Sequence, residues 1–133
     1  MTSGRCGDAP PAGLLAGIDL FNRREFFECH EVLEDLWRAE PAPVRLLYQG
    51  ILQIGVGFHH LGRGNWVGAF RQLEKGISRV NRFLPSCLGV DTERLVREAG
   101  GCLDLLRALG PAELERFDWS LVPKIAADRS ASR

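Results

Sequence analysis

The chain has 133 residues, 45 % of them hydrophobic and 26 % charged, with 17 basic side chains balancing 17 acidic ones. That length suits one domain able to bury its own core without a metal or a disulfide. The zero net charge excludes general nucleic-acid binding, which needs a basic excess.

The opening "MTSGRCGDAPP" has no apolar segment. It reads as a flexible N-terminal arm over 1–10, neither a signal peptide nor an acylation site. Pro10 and Pro11 open a first helix with Leu14, Leu15, Ile18 and Phe21 inward. Asn22 followed by Glu25 fits a capping box, and Phe21 with Phe26 fits its hydrophobic staple. The second helix is therefore expected from about Arg23 to Ala39, stopped by the prolines of "PAP" at 41–43.

A third helix is expected from about Val44 to Gly62. Its uncharged run "LLYQGILQIGVGFHHLG" carries two Gln and two His, which suits a buried bundle helix better than a membrane span. "GRGN" leads into a fourth helix over 65–84, whose apolar residues Trp66, Phe70, Leu73, Ile77, Val80 and Leu84 step by four and three. Arg71, Lys75, Arg79 and Arg82 make a basic stripe on its outer face. Asp91 or Thr92 caps a fifth helix that ends at Gly110-Pro111, and Pro111 starts a short helical turn to Phe117. No stretch alternates with period two, so no strand is expected. The fold class is all-α: one domain over 11–125, a bundle of about five helices, irregular or built of paired helical hairpins. Residues 126–133 are expected as a flexible tail.

Residues 23–35 weakly echo 63–75 at an offset of 40, matching at Arg, Leu and Glu. Two copies suggest paired helical hairpins. Where the first copy has His30, the second has Phe70.

The polar residues that turn inward carry the functional question. On a wheel of the second helix, His30 falls at the edge of the apolar face and Glu34 lies one turn on beside it. Glu31 turns toward solvent. On the third helix Gln49, Gln53, Val56 and His60 share one stripe, while His59 points elsewhere. Gly50 and Gly57 beside that stripe allow another helix to approach closely. Buried amides need partners, and His30 and Glu34 on the preceding helix are the expected ones. Three readings follow. The first is a structural or interaction module organised by an inward His/Glu/Gln cluster. The second is a hydrolase-like enzyme with His beside Glu as acid and base. The third is a metal site of His30, Glu34 and His60, with zinc or iron as the suited ions. "HEVLE" is not H-E-x-x-H, and the E-x-x-H of di-iron bundles is missing. No Ser or Cys has a nucleophile context. Cys6, Cys29, Cys87 and Cys102 form no C-x-x-C pair. They read as reduced thiols of a cytoplasmic protein, Cys29 and Cys102 being core residues. A homo-oligomer remains compatible with this surface, and no cofactor is required.

"LFNRREFFECHEVLEDLWR" and "LLYQGILQIGVGFHHLGRGNWVGA" together resemble the bacterial and archaeal family catalogued as domain of unknown function 309. The motif positions are Phe21, Asn22, His30, Glu31, Leu33, Glu34, Trp37, Gln49, Gly50, Gln53, His60, Gly64, Asn65, Gly68 and Ala69. The resemblance covers about 14–84. It implies a small all-helical cytosolic protein and no activity. It also brings Glu31, Trp37 and Asn65 into the candidate cluster with His30, Glu34, Gln49, Gln53 and His60.

Overall fold

Apolar residues spaced three and four apart fold the chain into five α-helices, seen in a computed structural model that describes residues 6–128. They are α1 (Ala12–Asn22), α2 (Phe26–Ala39), α3 (Arg45–Gly62), α4 (Trp66–Val80) and α5 (Thr92–Leu109). Short 3₁₀ turns follow α4 at Asn81–Phe83 and α5 at Pro111–Arg116 and Trp119–Leu121. Among the described residues no strand forms, and only isolated bridges join Cys87 to Val90 and Val90 to Ala127. No helix among them is long and apolar enough to cross a membrane.

The chain folds as successive antiparallel hairpins around α3, whose residues Leu47, Ile51, Ile54 and Phe58 are fully buried. Each such side chain contributes roughly 1.5–3 kcal/mol by leaving water. Phe21, Phe26 and Phe58 meet with ring centroids 5.3, 5.7 and 6.3 Å apart, which joins α1, α2 and α3. Cys29 and Cys102 are buried, as expected, and burial pushes both thiols up to about 12.

The α3–α4 contact is backbone against backbone. A β-carbon on Gly76 would lie 2.7 Å from the Gly50 carbonyl oxygen and 2.8 Å from the Ile54 nitrogen. One on Gly57 would lie 2.8 Å from Leu73. The helix expected to approach at Gly50 and Gly57 is therefore α4.

The repeat at offset 40 recurs in the hydrogen bonds. Arg24 N–H donates to Phe21 and Glu25 N–H to Leu20; Gly64 N–H donates to Leu61 and Asn65 N–H to His60. Both turns pass through a left-handed residue, Arg24 at φ 62° and Gly64 at φ 75°. That conformation costs a residue with a β-carbon roughly 1–2 kcal/mol.

The fourth helix, expected over 65–84, ends at Val80 and passes into the Asn81–Phe83 turn. Local structure departs from expectation at three further places. First, the left-handed Arg24 ends the first turn, so α2 begins at Phe26 and not at Arg23. Asn22 is not its cap: its amide donates to the Ile125 carbonyl (3.1 Å) and accepts from the Ile125 N–H (2.7 Å). Second, the cysteines are not all reduced, because Cys6 and Cys87 form a disulfide. Third, residues 6–10 and 126–128 pack on the body. Leu88 N–H donates to Cys6, Pro10 is buried, and Asp91 and Asp128 N–H groups bond Ala126 and Gly89. The rest of the expected arm and tail, 1–5 and 129–133, lies outside the described residues.

Candidate functional site

The close approach of α4 decides which way each polar residue of α3 faces. Gly50 and Gly57 lie under α4, so Gln53 and His60, which flank them, also turn that way. Gln53 accepts a hydrogen bond from Arg79 Nη1 at 3.0 Å. His60 lies against the start of α4, where a β-carbon on Gly68 would come within 2.9 Å of the imidazole. Asn65 caps α4 by accepting from Gly68 N–H at 2.9 Å, and its amide stands 3.5 Å from His60 Nδ1. Burial holds the His60 imidazole below its ordinary 6.5, helped by the charges of His59 and Arg63. Neutral Nδ1 can then accept from the Asn65 amide. This accounts for "GN" and the following "GA": Gly64 takes the left-handed turn, Asn65 caps, Gly68 makes room for His60, and Ala69 is buried.

The face toward α2 is different. There Val56 and His59 meet Phe26, Phe27 and His30 around a recess of about 160 Å³. The Phe27 ring centroid lies 6.2 Å from His30 and 5.9 Å from His59. Phe27 itself is 54 % exposed. His30 Nε2 is 3.8 Å from Glu34, whose other oxygen accepts from Arg38 at 3.1 Å. All three side chains touch solvent, so these pairs contribute little to stability.

The expected cluster is thus divided. His30 and Glu34 are neighbours, but His60 and Gln53 belong to the α3–α4 seam. The metal set His30, Glu34 and His60 is not brought together, and His59 takes the place expected for His60 beside His30. Among the described residues no group of three or more His, Cys, Asp or Glu side chains stands in position to hold a metal ion. Gln49 is half-buried on α3 and Glu31 is exposed on α2, as its wheel position implies. Trp37 is half-buried with the Arg45 guanidinium 4.9 Å above its ring, a cation–π contact.

Sequence reasoning missed Phe27 and His59. The available signal was the glycine pair on α3. It names the face against which a second helix packs, and so leaves residues 52, 56 and 59 for the opposite neighbour.

One curated relative is "Uncharacterized protein YpuF" of Bacillus subtilis (strain 168), 33 % identical over 82 residues. The alignment takes in 59 % of this chain and 47 % of the relative, so the chain spans about half the length of that protein. The motif residues on α1, α2 and α3 and the cap of α4 all fall inside a second match. Residues 14–72 match the family model described as "Domain of unknown function (DUF309)".

Proposed function

We propose that the protein is an interaction module that docks a partner protein through the α2–α3 face centred on Phe27. The observation that carries this reading is an aromatic ring, more than half exposed, standing between two imidazoles over a small recess. A large apolar side chain left in water stabilises nothing until something covers it. The surroundings define the partner. Glu28, Glu31 and Asp35 are exposed on the same helix, with Glu34 half-buried beside them. An aromatic knob in an acidic field fits an apolar notch rimmed by Lys and Arg. This also gives Glu31 a task, as a rim charge that speeds and orients docking.

The internal repeat supplies the control. Val67 occupies the equivalent position on α4 and is 48 % exposed. A photo-reactive phenylalanine analogue is placed at position 27 or at position 67 in cells expressing the chain. The expected result is a discrete higher-mass adduct from 27 only, lost on Glu31→Lys. No adduct from 27, or the same adducts from both positions, overturns the reading.

A further inference from the structure

The two copies of the turn differ where it matters most. The second copy puts glycine at the left-handed position, as backbone sterics favour. The first puts Arg24 there, with φ 62°. A strained residue of this kind points to a use for its side chain. The guanidinium reaches across to the C-terminal segment: Nη2 donates to the Trp119 carbonyl at 2.8 Å, and the group lies 5.8 Å from the Trp119 ring centroid. No carboxylate of the described residues is paired with it.

That position is the mouth of a cleft of about 530 Å³ between α5 and residues 120–124. Arg24, Arg94 and Lys124 line it against one carboxylate, Glu98. Glu98 accepts from Arg94 Nε at 3.2 Å, which leaves both Nη groups of Arg94 for another acceptor. The neighbouring Asp118 is engaged by Ser120, through its N–H at 3.0 Å and its hydroxyl at 2.6 Å. Leu121, Val122 and Pro123 give the cleft an apolar wall. The volume lies in the range of small-molecule sites.

We propose that this cleft binds a phosphate monoester with an apolar body. Three cations line the cleft against Glu98, and with the Asp118 carboxylate beside it a net positive charge remains, which suits a phosphate anion. Guanidinium forks suit phosphate oxygens, and a guanidinium fixed by a backbone carbonyl keeps its other N–H groups aimed. The ester's apolar part lies along Leu121–Pro123. The site lies apart from the α2–α3 face and does not depend on it.

The test is an amide-resolved NMR titration of the full chain with phenyl phosphate, inorganic phosphate and uncharged benzyl alcohol. Phenyl phosphate is expected to shift the amides of Arg94, Glu98, Gly101, Ser120, Leu121, Val122 and Lys124. Inorganic phosphate should move the same amides at concentrations at least about tenfold higher, and benzyl alcohol should not move them. Arg24→Gly removes the guanidinium and installs the residue the second copy already uses, so the turn is kept. It should weaken phenyl phosphate at least about tenfold, and Lys124→Gln should weaken it in the same direction. Shifts confined to the basic face of α4, no shift at all, or affinities unchanged in both variants overturn the proposal. Equal affinity for inorganic phosphate and phenyl phosphate removes the apolar body from it and overturns the ester assignment.

Discussion

Gly76→Ala tests the backbone-to-backbone seam that orients the whole of α3. The added methyl would sit 2.7 Å from the Gly50 oxygen, 2.7 Å from Ile54 Cγ1 and 2.8 Å from the Ile54 nitrogen. Ordinary contacts lie at about 3.5–4.0 Å, so α4 must move out by roughly 1 Å. Neither the carbonyl nor the amide belongs to a side chain that can rotate aside. Alanine raises helix propensity by about 1 kcal/mol over glycine. Overpacking a rigid contact costs about 3 kcal/mol or more. The expected net loss is therefore about 2 kcal/mol. Gly100, inside α5, has nothing within 4 Å of a built β-carbon. Gly100→Ala should accordingly gain about 0.5–1 kcal/mol. Urea unfolding of the three proteins reads both effects as midpoint shifts at constant slope. A Gly76→Ala protein as stable as the wild type refutes the close approach, and with it the assignment of Gln53 and His60 to α4.

Other consequences are independent of that seam. Because His60 is held below 6.5 in the folded state, the unfolded chain takes up the proton first. Stability from this group is full above about 6.5 and is lost as pH falls through the folded value. Denaturation midpoints between pH 7 and pH 5 should therefore fall less steeply for His60→Gln than for the wild type. The Cys6–Cys87 bridge has a sequence separation of 81, for which loop-closure entropy gives about 4.5 kcal/mol. A thermal melt in excess dithiol, or of Cys6→Ser, should show most of that loss without loss of helical circular dichroism. Asn65→Ala removes the α4 cap and should cost about 1 kcal/mol by chemical denaturation. The repeat-equivalent Glu25→Ala, whose side chain caps nothing, should cost a few tenths at most.

What could be read from the sequence was what depends on local period. The helices α3, α4 and α5 and the glycine stops of α3 and α5 follow from spacing, as does a cap at Asp91 or Thr92, of which Asp91 is the one used; α4 ends at Val80, short of the expected stop at Pro85. The glycines of α3 announced a close neighbour for the same reason. The misplaced features have distant partners. Asn22 fits a capping box by pattern, yet its amide goes to Ile125, 103 residues away. Cys6 finds Cys87 across 81 residues, and cysteine spacing does not encode such pairings. The histidines failed by one step. His59 and His60 differ by about 100° on the helix, so the choice between them needs to know which neighbour takes which face. Placing Gln53 and His60 opposite α2 put the α4 seam on the wrong side.

The motif histidines do two separate jobs, His30 with His59 around Phe27, and His60 at the cap of α4. Nuclear Overhauser spectra of protein labelled in its histidine and phenylalanine rings test this division directly. Cross-peaks are expected from the Phe27 ring to both His30 and His59, and from the His60 ring to Gly68 and Asn65. Cross-peaks joining the His30 ring to the His60 ring, with none to His59, would contradict the division and restore a single cluster between α2 and α3.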